Sequence, residues 1–208
     1  RIAGLTVENG IPLASHDDDT VDKINLWNGL GASISEFPVT LEAAEEARRR
    51  GMRTVMGAPN TLRGASHSGN LSAVDAIEAR AVDALASDYH PGALLHAILT
   101  LTETGRMPLH EAAKLISQNP ASAVGLDDRG SIEVGKAADI VLVEMNGNVH
   151  AHTHTRARVR ATLRRGEPIY SDVYMARLND GQSIPITTQP AAVGSLLDKT
   201  LDPQTLSN

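Results

Sequence analysis

Cysteine is absent from the 208 residues, which excludes disulfides, a thiolate nucleophile and any cysteine-based zinc site. Aromatic side chains make up only 2% of the chain, so a core has to be assembled mainly from Ala, Val, Leu and Ile. No apolar run approaches the ~20 residues that a membrane-spanning helix needs, so no membrane partner is expected. Positive charge is in deficit, with a formal net charge of -6. That argues against a nucleic-acid binder working through bulk charge. An anionic substrate would have to be met locally, by a metal or by clustered Arg. The cysteine-free composition suits a reducing compartment, and a cytoplasmic location is expected. A chain of this length holds one sizeable core, or most of a larger one.

What is present is a repeated strand-and-helix pattern. An apolar run at 11–15 ends in His16-Asp17-Asp18-Asp19-Thr20, and a helix is expected over 20–30 before Gly29 and Gly31 break it. Ser33-Ile34-Ser35-Glu36-Phe37-Pro38 reads as a second strand ending in an acid. Thr40 reads as the N-cap of a helix over 41–50, with Gly51 as its stop. Arg53-Thr54-Val55-Met56-Gly57 is the third strand, and Ala58-Pro59-Asn60 leads out of it into a polar loop over 61–70. A helix over 71–80 leads to the fourth strand and to Ala84-Leu85-Ala86-Ser87-Asp88-Tyr89-His90-Pro91, where an apolar run stops at an acid. Two helices are expected after Pro91, the second carrying Leu109, Ala112, Ala113 and Ile116 on one face.

Four such units predict parallel strands with helical crossovers, either an open doubly wound sheet or a barrel. No Gly-rich dinucleotide fingerprint follows any strand, which weighs against the first. Polar residues instead follow every strand: His16 with Asp17, then Glu36, Asn60 and Asp88. In a (β/α)8 barrel these ends share one face and converge on one site. Asp88 has a second reading, as the cap of the helix that follows; the convergence favours the functional one. Four units make half a barrel. The other half is expected upstream or from a partner chain, which leaves a homo-oligomer open. The chain opens on Arg1 rather than Met, and the expectation is a fragment lacking its N-terminal part.

From Arg129 the texture is β-like. Gly130-Ser131-Ile132-Glu133-Val134-Gly135-Lys136 predicts a turn, a short strand and a turn, and Ile140-Val141-Leu142-Val143 an apolar strand. Residues 159–163, Arg165-Gly166 and Ile169-Tyr170 predict a hairpin. After Ser171 the sequence turns irregular, with Gly181, Pro185, Pro190 and Gly194.

Asn119-Pro120-Ala121-Ser122-Ala123-Val124-Gly125-Leu126, followed by the Gly-x-Ile-x-x-Gly-x-x-Ala-Asp run from Gly130 to Asp139, closely resembles the C-terminal signature of the amidohydrolase superfamily. The resemblance implies an α/β fold: the C-terminal half, strands five to eight, of a metal-dependent (β/α)8 TIM barrel at 1–128. Part of a small β-sandwich would follow at 129–170, and an irregular tail at 171–208. A narrower resemblance rests on Leu13-Ala14-Ser15-His16-Asp17-Asp18, Glu36-Phe37-Pro38, Met56-Gly57-Ala58-Pro59-Asn60, Arg63-Gly64, Ser66-His67-Ser68-Gly69-Asn70 and Ala86-Ser87-Asp88-Tyr89. These stretches are similar to the phosphonate-utilisation hydrolases of the carbon-phosphorus lyase pathway, the PhnM family. Its members act on α-D-ribose 1-methylphosphonate 5-triphosphate and release diphosphate.

The resemblance implies a divalent metal, zinc or another transition metal, and a small phosphorylated substrate. His16 takes the place of a fifth-strand histidine that binds metal. Asp88 takes that of an eighth-strand aspartate that contacts metal, acts as base toward water and passes the proton to the leaving group. Glu36 stands where many relatives carry a sixth-strand histidine, and is either a carboxylate ligand or a polar group at the barrel mouth. The loop at 63–70 is either a flexible surface connection or an anion cradle. In the cradle Arg63 would bind bidentately, and Ser66, His67, Ser68 and Asn70 would donate hydrogen bonds to phosphate oxygens; His67 has a second reading as a metal ligand. Asn60 and Tyr89 complete the expected substrate-contacting set. Asp17 is expected to support His16, Asp19 to cap a helix, and His150, His152 and His154 to line one face of an exposed strand.

The leading expectation is therefore a metal-dependent hydrolase that cleaves a phosphoanhydride. The same superfamily also contains cyclic amidases and deaminases acting on carbon-nitrogen bonds, where Tyr89 and the Arg63 loop would read a ring or a carboxylate. A third reading is a truncated remnant that persists only as an interaction module.

Overall fold

The computed structural model describes residues 2–64, 69–146 and 156–172. Helix α1 (Ile2–Glu8) precedes the first strand and buries none of its residues. Ile2, Leu5 and Val7 all stay exposed, so no amphipathic face marks this helix in the sequence. The strands β1 (Leu13–His16), β2 (Ala32–Glu36), β3 (Arg53–Gly57) and β4 (Ala84–Ala86) then form a parallel sheet in chain order. Its register sets His16 opposite Glu36, and Gly57 opposite Ala86.

The crossovers are α2 (Val21–Gly29), α3 (Leu41–Arg49) and the pair α4 (Ala58–Arg63) and α5 (Ala73–Glu78). Hydroxyl caps fix where three of them begin. Thr20 accepts from the Lys23 amide, Thr40 from Ala43, and Ser72 from Val74 and Asp75, each satisfying a backbone donor that the first helical turn leaves free. The cap at the first site is Thr20 rather than Asp19. Helix α4 corrects the expected loop: the chain turns helical directly after β3. Pro59 is tolerated there because a first-turn residue needs no donor, and Gly64, at φ 70°, ends the helix.

The scarcity of aromatics is answered by alanine. Ala43 and Ala47 on α3 pack with Ile24, Ala32 and Met52, and Ala58, Ala73, Ala76, Ala93 and Ala97 surround Met56, Leu85 and Leu101. Methyl side chains let helices lie close on the sheet, and the close packing replaces the area that larger rings would bury. Beneath β3 and β4, Asp83 Oδ2 accepts from the Thr54 amide at 3.0 Å and its hydroxyl at 3.2 Å. Arg48 and Arg53 face the other oxygen at 3.4 and 3.5 Å.

Three helices rather than two follow β4: α6 (Ala93–Glu103), α7 (Leu109–Lys114) and α8 (Gln118–Ala123). Ser117, at φ -132° and ψ -84°, breaks the path between the last two, a backbone irregularity that apolar spacing does not encode. The second, antiparallel sheet has the order β5 (Ile140–Asn146), β6 (Arg156–Arg164), β7 (Glu167–Ser171). Arg165 and Gly166 join its last two strands with φ of 51° and 84°, the left-handed pair that matches strand twist in a two-residue hairpin. The short strand expected around Ile132-Glu133-Val134 is instead turn and irregular backbone, with Ile132 and Val134 exposed. The tail after Asp172 and the His150, His152 and His154 series lie outside the described residues. No helix among the described residues is long and apolar enough to cross a membrane.

Candidate active site

Because the four strands run parallel, their C-terminal ends share one edge of the sheet, and the polar residues read from the sequence gather there. His16 closes β1 and Glu36 closes β2. The imidazole Nε2 lies 3.9 Å from Glu36 Oε2, and Nδ1 lies 3.1 Å from Asp17 Oδ2. A carboxylate thus stands beside each ring nitrogen, the closer one at Nδ1, and the Nε2 side of the ring faces Glu36. Asp17 thus stands beside His16 as anticipated. Its backbone is left-handed, at φ 52°, and Lys23 Nζ steadies the turn by donating to the carbonyls of Asp17 at 2.6 Å and His16 at 3.4 Å.

Two residues at this end have no role of their own in the sequence reading. Asp18 is fully buried, and its Oδ2 accepts hydrogen bonds of 2.6 Å from both the Ser15 and the Ser35 hydroxyls. Ser15 and Ser35 face each other in the β1–β2 register and immediately precede His16 and Glu36. Asp18 therefore ties together the two strand positions that carry the site. The signal for it was there, as hydroxyls one residue before each polar strand end. The second is Phe37, whose ring meets the His16 ring edge-on at 5.3 Å.

Asp88 is exposed two residues past β4, with φ 52°. The N-cap of α6 is Gly92, without a side-chain bond, so Asp88 does not cap that helix. Arg63, at the end of α4, donates to the Tyr89 hydroxyl at 2.7 Å. This brings together two of the expected substrate-contacting residues from different loops. Asn60 is placed differently: its Oδ1 accepts from the Ala73 amide at 3.1 Å and its Nδ2 donates to the Leu71 carbonyl at 3.5 Å. The amide thereby clamps the excursion between α4 and α5. Asn70 lines a cavity of about 520 Å³ with Val39, Thr40, Gly64 and Asp75, formed where α3 and α5 begin. Ser66, His67 and Ser68 lie outside the described residues.

The donors at the sheet edge suit a transition metal in kind, an imidazole nitrogen and a carboxylate oxygen, but a catalytic site needs about three protein ligands. Among the described residues no group of three or more His, Asp or Glu side chains is placed to hold one. Asp88 follows β4, three strands along the sheet from the strand that ends in His16.

Residues 63–170 match the model of the amidohydrolase family, which is half of the chain, and the chain belongs to that family. It is 46% identical over 149 residues to the α-D-ribose 1-methylphosphonate 5-triphosphate diphosphatase of Escherichia coli (strain K12), a match covering 71% of this chain and 39% of the relative. The chain thus spans about two-fifths of the length of that relative. Solved structures agree in fold. An amidohydrolase from Thermotoga maritima matches with a TM-score of 0.62 at 21% identity, over 81% of this chain and 46% of its own. A. niger ochratoxinase matches with 0.60 at 19%, over 83% and 44%.

Proposed function

We propose that this chain supplies strands five to eight of a (β/α)8 barrel, with part of a small β-sandwich. The enzyme it belongs to would be a metal-dependent hydrolase that cuts α-D-ribose 1-methylphosphonate 5-triphosphate and releases diphosphate. The observation that carries the reading is the 46% identity over 149 residues to a diphosphatase acting on that compound. The four-stranded parallel sheet, with its polar C-terminal edge, supports the barrel half.

In this reading His16 Nε2 and Glu36 hold a divalent metal together with Asp88 and ligands from the rest of the barrel. Such an ion supplies Lewis acidity at phosphorus and lowers the pKa of water. Asp88 accepts the proton of the attacking water as the phosphoanhydride bond breaks, and returns it to the departing diphosphate oxygen. Arg63 offers the substrate a planar fork of donors, which the Tyr89 hydroxyl holds over the mouth. That local cation matters in a chain whose net charge is -6, because the triphosphate brings several negative charges of its own.

A chimera tests the proposal: the part of the E. coli diphosphatase that this chain leaves unmatched, joined to these 208 residues. Diphosphate release from the ribosyl triphosphate is expected from the chimera with added divalent metal. The 208 residues alone should hold metal weakly and release none. A chimera that binds metal, hydrolyses cyclic amides and leaves the triphosphate intact would overturn the substrate assignment.

A further inference from the structure

Phe37 holds a backbone conformation that its side chain resists. Its φ is 55°, a region where a Cβ crowds the neighbouring carbonyl and where a bulky residue is an outlier. Pro38 follows, and a residue before proline is also pushed out of the right-handed helical region. Extended backbone was open to it and would have cost nothing. Strain of this kind persists where the surroundings over-determine it, and it clusters at functional sites.

The consequence of the turn is visible in what the ring touches. The Phe37 amide still donates to the Val55 carbonyl at 2.9 Å, so the backbone has not left the β2–β3 ladder. By strand alternation the side chain after Glu36 belongs on the opposite face of the sheet. The left-handed φ carries it to the strand ends instead, where it meets His16 on one neighbouring strand, edge-on at 5.3 Å and 71°. On the other side it lies over Gly57: a Cβ built there would come 3.8 Å from Phe37 Cε1. The only phenylalanine in the chain thus spans the ends of β1, β2 and β3. The imidazole is held from two directions, by the Asp17 carboxylate at Nδ1 and by this ring on its side.

We propose that Phe37 is a positioning residue for His16: its strained backbone delivers an aromatic ring that fixes the imidazole plane, so that Nε2 faces Glu36 whether or not a metal is bound. The proposal rests on His16 serving as a ligand only for its consequence, a pre-oriented donor. The orientation itself is a property of the chain.

The test uses the full 208-residue chain and three variants, Phe37→Gly, Phe37→Leu and Phe37→Tyr. Nuclear magnetic resonance of the His16 ring reads the orientation through the ring-current displacement of its carbon-bound protons and the nitrogen shifts that distinguish tautomers. Cobalt(II) alone, titrated in, reads its consequence through paramagnetic broadening of the same signals. Phe37→Gly removes both strain and ring, so its thermal midpoint should be unchanged or raised while the ring-current displacement vanishes. The tautomer signature should move toward a mixture, and the cobalt midpoint should rise about tenfold. Phe37→Tyr keeps the ring and should restore wild-type values; Phe37→Leu keeps the bulk and should not. Wild-type orientation and cobalt response in Phe37→Gly would overturn the proposal. So would a Phe37→Leu chain that behaves like Phe37→Tyr, which decides the matter even if the glycine variant melts early. Cobalt that never broadens His16 in the wild type defeats the ligand assignment instead, and leaves the orientation readouts to judge Phe37.

Discussion

The Asn119 side-chain amide donates to the Asp83 carbonyl at 2.7 Å, tying the first turn of α8 to the residue just before β4. One residue pair thereby joins the Asn-Pro-Ala motif to the strand that presents Asp88, while the Asp83 carboxylate is occupied by Thr54, Arg48 and Arg53. Asn119→Ala should lower stability by about 1 kcal/mol, the usual net worth of one hydrogen bond. Asp83→Ala, which strips the buried Thr54 amide of its acceptor while the Thr54 hydroxyl keeps the Ala81 carbonyl at 2.6 Å, should cost about twice that. Urea unfolding of the two variants checks the order, and equal losses would contradict the division of roles between carbonyl and carboxylate.

Asp18→Ala leaves the buried hydroxyls of Ser15 and Ser35 without the oxygen that accepts both. A loss of about 3 kcal/mol is expected. Ser15→Ala and Ser35→Ala should each cost less alone, and each should cost little more on top of Asp18→Ala, because the shared acceptor is already gone. Additive losses in a double-mutant cycle would contradict the shared tie.

At Gly130 the backbone is left-handed, at φ 88°, and a Cβ would stand 2.8 Å from the Gln118 Cα and 3.1 Å from the Ala121 Cβ. Neither neighbour is the end of a flexible side chain. Gly130→Ala should therefore destabilise by about 2 kcal/mol or more, whereas Gly135→Ala, with nothing within 4 Å, should cost only its positive φ. Comparable thermal midpoints for the two would show that α8 yields more readily than its packing implies.

Acid should weaken the fold through carboxylates whose pKa is depressed. Arg50, by hydrogen bond and charge, and Arg49 hold Glu46 below the usual value of 4.5, and Lys114 does the same for Glu111. A depressed folded-state pKa contributes stability that is present above the unfolded value and is lost as pH falls through the folded one. The thermal midpoint should thus hold steady down to about pH 5 and decline below that. Glu46→Gln should flatten the decline, and a steeper acid slope in that variant would contradict the assignment.

Asp88→Asn removes the carboxylate proposed as base and metal-holding group while keeping the size and shape of the side chain. Asn tolerates a positive φ as well as Asp does, and the side chain is exposed, so stability should move by less than about 0.5 kcal/mol. In the chimera with the E. coli enzyme, diphosphate release should fall by a factor of about 100 or more. Near-normal turnover would remove Asp88 from the chemistry.

The strand-helix alternation, the parallel sheet and the family were legible in the residues alone. The first two strands end in a polar residue, the hydroxyl caps mark helix starts, and the Asn119–Asp139 signature is local in the chain. Such signals are local, carried by neighbours in the chain, and they placed His16 and Glu36 at strand ends and Asp88 just beyond one. Which polar groups serve the architecture emerges only from the folded chain. The Asn60 amide meets the backbone of Leu71 and Ala73, Asp18 meets the hydroxyls of Ser15 and Ser35, and neither pairing is written in the local sequence. The α4 helix and the break at Ser117 were equally hidden. A hydrogen bond between residues many positions apart leaves no periodicity, and a left-handed backbone at Phe37 is fixed by what surrounds the ring rather than by the residue itself.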